Sequence, residues 1–311
     1  MKKTFKYTII TLLMVTFALA FTGCANNSKT DSTGTKAATS YPYTYTDSKG
    51  DSVTIESEPQ KIVSVAPSVT ETVFALGKGS ELVGRTDYCN YPEEAKSVES
   101  IGSLTDPNIE KIIELKPDVV IGSTHFKDDV KKKLEDLGIK IVVLDDAKTI
   151  DSAYDSILKV GNILNANKEA NDIVDSNKKK IEEIQSKIKD EPSPKVYYAV
   201  GFGKGGDYTA TGDTFIADML DKAGADNIAK NDTKWSYSLE KIIQNDPEYI
   251  ILSKNFSLKS EFVATDGYKD LTAVKNNKVY EVDDDLVNRQ GPRISEGVEA
   301  LAKIIHPDLF K

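Results

Sequence analysis

An internal repeat constrains the fold of this chain more than any other feature of its sequence. Residues 108–123 read NIEKIIELKPDVVIGS and residues 238–253 read SLEKIIQNDPEYIILS, with seven of sixteen positions identical. A common connection of helix, proline and strand would account for part of this match. The shared EKII and the apolar strand that follows favour a duplicated structural unit. We therefore expect two similar halves.

Each half alternates strand patterns with helix patterns. The runs KIVSVA at 61–66 and KVYYAV at 195–200 are typical of buried strands, and helical patterns follow them. Ser68 is predicted to cap the first helix, with Glu71 as its capping-box partner. Alternating strands and helices predict an α/β fold with mostly parallel sheets.

The segment between the halves has no strand pattern. Apolar residues recur at helical spacing in its second half, at Val174, Ile181, Ile184 and Ile188, which predicts an amphipathic helix of about 20 residues. The predicted fold is thus two Rossmann-like α/β lobes, at 41–149 and 193–311, joined by a single long helix within a linker at 150–192.

The first residues read as an export signal. Lys2, Lys3 and Lys6 precede an apolar run of about fifteen residues, whereas a membrane-spanning helix needs roughly 20. The ending Thr22-Gly23-Cys24 resembles a bacterial lipobox, which implies a signal peptide at 1–23 and a lipid on Cys24. The segment that follows is rich in Ser, Thr, Asn, Lys and Gly, which predicts a flexible tether at 24–40. An ordinary signal peptide with an incidental cysteine is the alternative.

Charge and motifs exclude several classes of function. The formal net charge is −9, and loss of the three lysines within residues 1–23 makes it −12, so nucleic acid is a poor partner. With two histidines and no hydrolase or metalloprotease motif, we expect no catalytic residue, no structural metal and no cofactor. The glycine-rich run GFGKGG at 201–206 lacks the Lys-Ser/Thr ending of a phosphate-binding P-loop, which argues against a nucleotide site there. Cys89, the other cysteine, has no assigned role.

Candidate ligand contacts follow the predicted strands, because clefts of open α/β sheets form at the carboxyl ends of strands. They suit a large, partly flat ligand, and they are Pro67, Ser68, Tyr88, Tyr91, His125, Tyr208, Trp235, Tyr237, Arg289 and Arg293. The two arginines, with Arg85, could pair with carboxylates or phosphates, and a structural role for Arg293 is an equal alternative. His125 or a tyrosine could ligate haem iron, although His125 could also be an ordinary surface histidine.

The motifs KIVSVAPSVTETVFALG, GRTDYCNYP, NIEKIIELKPDVVIGS and GPRISEGVEALAKIIHP occur in this order between residues 61 and 307. Together they resemble the iron-chelate and cobalamin class of substrate-binding proteins of ABC importers. The resemblance implies a monomeric, extracytoplasmic, non-enzymatic receptor that binds its ligand in a shallow groove between the lobes. Its implied partners are an ABC permease with its ATPase and, through Cys24, the membrane.

The resemblance also implies roles for particular residues. Glu110 and Glu240 match the acidic residues that dock on paired arginines of the permease; a solvated carboxylate in a first helical turn is the alternative. Tyr91 and Trp235 match aromatic contacts of cobalamin-binding relatives. Leu104 and Ser123 stand where those relatives carry tryptophan. We expect cobalamin or a related corrinoid as ligand, with haem or a ferric siderophore as the alternative, and a secreted enzyme or adhesin as a more distant one.

Overall fold

The structure is a computed structural model that describes residues 37–48, 50–124, 126–255 and 258–311. The predicted signal peptide, Cys24, most of the tether and His125 lie outside these residues. In the described ranges, no helix combines the length and the apolar character needed to cross a membrane.

The first lobe is built on a parallel sheet. In chain order its described elements are β1 (Tyr43–Thr46), β2 (Ser52–Ile55), β3 (Ile62–Ser64), α1 (Pro67–Ala75), β4 (Leu82–Arg85), α2 (Ile109–Leu115), β5 (Val119–Ser123), α3 (Asp128–Asp136) and β6 (Ile141–Leu144). The sheet order is β4-β3-β5-β6, and β1 pairs with β2 as a separate antiparallel ribbon.

Strand β5 shows why this sheet is covered on both faces. Val119 and Ile121 point into one apolar cluster, while Val120 packs with Ile112 of α2 in another, and all four are fully buried. A parallel strand buried on both sides is apolar at nearly every position, as the sequence of β5 is.

The predicted long helix of the linker is present, and a second, shorter helix precedes it. Helix α4 (Ile150–Ile163) begins at a capping box formed by Thr149 and Ser152. The chain turns at Asn165, whose φ is 54°, and α5 (Asn167–Ile188) then runs for 22 residues, or roughly 33 Å. The apolar residues that predicted an amphipathic helix lie on the buried face of α5.

The second lobe repeats the architecture of the first with additions. Its described elements are β7 (Lys195–Gly201), β8 (Tyr208–Thr209), α6 (Phe215–Lys222), β9 (Asp226–Asn227), α7 (Leu239–Asn245), β10 (Tyr249–Ser253), α8 (Lys259–Ala264), α9 (Thr272–Lys275), β11 (Val279–Val282), α10 (Asp284–Asn288) and α11 (Ile294–Ile305). Strands β11, β10 and β7 are parallel neighbours, β8 is antiparallel to β7, and β9 also pairs with β7. The prediction of two α/β lobes is confirmed.

One hydrophobic core extends across both lobes and the linker. It includes Val73 of the first lobe, Ile157 of α4, Ile184 of α5, and Tyr198 and Leu301 of the second lobe. Because packed interiors resist deformation, a wide hinge motion between the lobes would have to break this core. The structure therefore favours limited motion between the lobes.

Candidate functional site

A cavity lies at the carboxyl ends of the parallel strands of the second lobe. Its volume is about 420 Å³ and it is lined by Tyr198, Ala199, Val200, Tyr208, Trp235, Ser253, Asp284 and Asn288. These residues belong to β7, β8, β10, α10 and the loop before α7. This position is where ligands bind to open α/β sheets, and the volume is within the range of small-molecule sites.

The aromatic wall of this cavity is Trp235 and Tyr208, which are 40% and 47% exposed. The backbone of Trp235 is held on both sides, because its amide donates to Thr211 Oγ1 at 3.1 Å and its carbonyl accepts from the amide of Thr209 at 2.9 Å. Its φ is 62°, a left-handed conformation that is unfavourable for a large side chain. The surrounding structure thus fixes the only tryptophan of the chain beside the cavity.

The polar part of the cavity is formed by Ser253 and Asp284. The Ser253 hydroxyl donates to Asp284 Oδ2, while Oδ1 of the same carboxyl is buried without a hydrogen-bond partner in the described structure. Burial, with the nearby charges of Asp283 and Asp285, raises the pKa of Asp284 and outweighs the opposing hydrogen bond from Ser253. When it is ionised, this carboxylate would repel a ligand's anionic groups.

A buried ion network joins the two lobes beside the cavity. The carboxylate of Glu71, on α1 of the first lobe, accepts hydrogen bonds from Arg289 Nη1 at 2.7 Å, Arg293 Nε at 2.8 Å and Arg293 Nη2 at 2.7 Å. The Glu71 side chain is 1% exposed, and the arginine side chains are 10% and 13% exposed. A buried charge needs such partners. Asp285 also pairs with Arg289 Nη2 at 2.6 Å, so two carboxylates balance the two guanidinium charges within the protein.

The same arginines hold the loop that carries two predicted tyrosines. Arg289 Nη2 contacts Asn90 Oδ1 at 2.8 Å and the Tyr88 carbonyl at 3.4 Å, and the Arg293 guanidinium lies 3.9 Å from the ring centre of Tyr91. Tyr88 and Tyr91 are 60% and 45% exposed. Arg289 directly follows Asn288 of the cavity, so the tyrosines and the cavity border one groove between the lobes.

Other predicted contacts have different positions. Pro67 and Ser68 are half-buried in the first turn of α1, and Ser68 lies close to Gly291 of the second lobe. Tyr237 is 5% exposed and donates its hydroxyl to the Ile228 carbonyl at 3.0 Å, so it belongs to the core rather than the groove. Arg85 donates to the backbone carbonyls of 86, 95 and 96, which is a structural role.

The predicted capping role of Ser68 is wrong. Helix α1 starts at Pro67, with Ala66 as an N-cap that makes no side-chain hydrogen bond. Proline suits the first helical position, which moves the start ahead of Ser68. Glu71 consequently pairs with the two arginines rather than with a helix end.

The repeated helices α2 and α7 have the same local structure. Their N-caps, Asn108 and Ser238, accept from the amides of Lys111 and Lys241, and both helices end in a left-handed residue before a proline. Glu110 and Glu240 occupy equivalent, exposed positions in the first turns. Hydrogen bonds from its own backbone and from Ser238 lower the pKa of Glu240, so this carboxylate is ionised at neutral pH.

Sequence reasoning missed three groups at the groove, namely Glu71, Ser253 and Asp284. Ser253 ends the second copy of the repeat, and Asp284 follows β11. Because ligands of open α/β sheets bind at the carboxyl ends of strands, this position could have identified both residues. No sequence signal reveals Glu71, whose partners are more than 200 residues away.

Cys89 is fully buried with a free thiol. In the described part of the chain, no three or more His, Cys, Asp or Glu side chains are grouped so that they could hold a metal ion.

Comparison with known proteins identifies the family. Residues 62–286 match the model of the family described as periplasmic binding protein. The chain is 38% identical to a Bacillus subtilis protein named uncharacterized ABC transporter substrate-binding lipoprotein YvrC, over 94% of this chain and 95% of that one. It is 28% identical to a cobalamin-binding protein of Halobacterium salinarum, covering 86% of this chain and 75% of the other.

A solved structure from Staphylococcus epidermidis, described as a possible iron-binding periplasmic solute-binding protein, is 33% identical to the chain. Its TM-score is 0.73, over 80% of this chain and all of the other. The chain therefore belongs to the periplasmic binding protein family, in the iron-chelate and cobalamin class of ABC transporter substrate-binding proteins. It is an extracytoplasmic binding protein that works with a permease, and it is not an enzyme.

Proposed function

We propose that this protein captures cobalamin or a related corrinoid in the groove between its lobes and delivers it to the permease of an ABC importer. The observation that carries the choice of ligand is the combination of exposed aromatic rings with arginines that are already neutralised. Trp235 and Tyr208 offer flat apolar surface, whereas Glu71 and Asp285 together occupy Arg289 and Arg293.

This combination favours a ligand that carries neutral amides over one that carries carboxylates. Haem propionates or an anionic siderophore would need free cations, since a guanidinium binds a carboxylate by paired charge-assisted hydrogen bonds. Asp284 lines the cavity and offers no positive charge to an anionic ligand. The 28% identity to a cobalamin-binding protein agrees with this assignment.

Haem is the second candidate, and it is supported by the exposure of Tyr88 and Tyr91 at the groove. A tyrosine phenolate can serve as an axial ligand of haem iron. Titration of haemin into the protein tests this alternative, because tyrosine ligation would produce a new absorbance band that Tyr88→Phe or Tyr91→Phe removes. Absence of that band in the wild-type protein excludes haem ligation by tyrosine.

Docking on the permease is proposed to use Glu110 and Glu240, one on each lobe, against cationic groups of the permease subunits. Both side chains are exposed, and the neighbouring Lys111 and Lys241 are held internally by Glu99 and Asp232. The combined change Glu110→Ala and Glu240→Ala should stop uptake of radiolabelled cyanocobalamin by cells while purified protein still binds it. Uptake at the wild-type rate would refute the docking assignment.

The lipid anchor is proposed on Cys24, which would keep the receptor at the outer face of the cell membrane. This proposal is supported by the sequence pattern at residues 22–24 and by the lipoprotein name of the Bacillus subtilis relative.

A further inference from the structure

The two proposed docking helices each expose an isoleucine. Ile113 of α2 is 41% exposed and Ile243 of α7 is 49% exposed. Isoleucine is among the residue types most often buried, and each of these residues follows a proposed docking glutamate by three positions. Residues three apart lie on the same face of a helix. Each lobe therefore presents a carboxylate and an apolar side chain on one surface.

The exposure is equivalent in the two copies of the repeat. The preceding residues, Ile112 and Ile242, are fully buried in the cores of their lobes. The second isoleucine of each EKII motif points outward and belongs to neither core. The following three positions differ between the copies, as Glu-Leu-Lys and Gln-Asn-Asp, whereas the exposed isoleucine is the same. Packing within the lobes does not account for this identity.

The other exposed apolar side chains have a different distribution. Of the large hydrophobic residues exposed in the described ranges, Tyr88, Tyr91, Val200, Tyr208 and Trp235 border the groove. Leu137, at 58% exposed, stands at the end of α3 without a counterpart in the repeat. Ile113 and Ile243 are thus the only exposed pair of this kind that the duplication reproduces on both lobes within the described structure.

We propose that Ile113 and Ile243 are apolar anchors of the permease interface, each inserted beside the cation that receives the adjacent glutamate. This inference rests on the proposed docking function and extends it. Two equivalent patches fit a partner with two similar halves, as a symmetric pair of permease subunits would provide. Interfaces combine an apolar centre with a polar rim, and here the isoleucine supplies the centre and the glutamate the rim.

Photo-crosslinking in cells tests this contact directly. The full-length protein would carry a photoreactive phenylalanine analogue at position 110, 113, 137, 240 or 243, and adducts would be identified by mass spectrometry. We expect adducts with the membrane-spanning permease subunit from positions 113 and 243, and none from 137. Adducts from 110 and 240 without any from 113 and 243 would overturn the inference and leave the docking proposal intact. No adduct from any of the four repeat positions would overturn both.

Substitution gives an energetic test. Ile113→Ser and Ile243→Ser should each weaken binding to membranes that contain the permease about tenfold, which corresponds to about 1.4 kcal/mol. Leu137→Ser is the matched control and should bind as wild type does. Thermal unfolding checks that each variant is folded. Affinities equal to wild type in both folded isoleucine variants would contradict an anchoring role.

Discussion

Removal of the Glu71 carboxylate should destabilise the protein and change the ligands that it accepts. In Glu71→Ala, Arg293 loses hydrogen bonds to both oxygens of the carboxylate and retains the ring of Tyr91. Arg289 loses one bond but keeps Asp285 at 2.6 Å. Removing one partner of a buried pair costs about 3–5 kcal/mol. Because Arg289 remains paired, we expect the lower end of that range.

Thermal unfolding measures this effect. A loss of about 3 kcal/mol lowers the Tm by roughly 6 °C in a protein of this size, at about 2 °C per kcal/mol. Glu94→Ala is the control, because Glu94 is exposed and surface changes shift stability by less than about 0.5 kcal/mol. A Tm for Glu71→Ala that differs from wild type by less than about 1 °C corresponds to less than about 0.5 kcal/mol. Such a result would refute the view that this network holds the lobes together.

Glu71→Gln supplies the corresponding test of ligand choice. The amide keeps the shape of the side chain but leaves one positive charge uncompensated between Arg289 and Arg293. A freed guanidinium can then pair with a ligand carboxylate, so affinity for haemin should rise about tenfold, as expected for a charge-assisted hydrogen bond. Affinity for cyanocobalamin should change less. An unchanged haemin affinity would show that these arginines do not control selection against anions.

Three further predictions concern the cavity and the membrane anchor. Trp235→Ala or Tyr208→Ala should cost about 2 kcal/mol of binding, roughly thirtyfold in Kd for cyanocobalamin by calorimetry, with Leu137→Ala as an unaffected control; wild-type affinity would exclude the aromatic wall from the site. Asp284→Asn should raise the Tm at pH 7, because the native state raises the pKa of Asp284 above its ordinary 3.8 and ionisation therefore penalises folding at higher pH. Below the unfolded pKa of 3.8 the carboxyl is protonated in both states and the penalty is absent, so the Tm difference between Asp284→Asn and wild type should close as the pH falls below 3.8. A Tm difference that does not depend on pH would contradict ionisation of Asp284 as its cause. Cys24→Ala should move the protein from the membrane fraction to the medium, whereas Cys89→Ala should not, and a membrane-bound Cys24→Ala protein would exclude this anchor.

The repeat made the fold predictable from sequence. A helix, a proline and a buried strand recur at 108–123 and 238–253, and both copies adopt the same caps and burial. Helix α2 (Ile109–Leu115) begins at its Asn108 cap and ends just before Pro117, because a cap and a terminating proline are local signals. The break after Ile163 was not predictable in this way, because Asn165 interrupts a continuous helical pattern and its left-handed backbone is not specified by its type.

The groove was only partly predictable. Trp235 and Tyr208 follow the rule that ligands meet the carboxyl ends of strands, and both line the cavity. Tyr237 stands two residues from Trp235 and is buried, a difference that depends on how the irregular loop packs. The pairing of Glu71 with Arg293 spans 222 residues and results from the docking of the two lobes. Local sequence cannot specify such a contact.

Titration of the soluble protein, beginning at Ala25, with cyanocobalamin while the fluorescence of Trp235 is recorded tests the central claim most directly. The chain contains one tryptophan, and it lines the cavity, so the signal reports on the groove alone. We predict saturable quenching with a Kd below about 1 μM. Haemin should not displace the bound cyanocobalamin. Absence of quenching, together with absence of heat in calorimetry, would contradict a corrinoid receptor while leaving the family assignment in place.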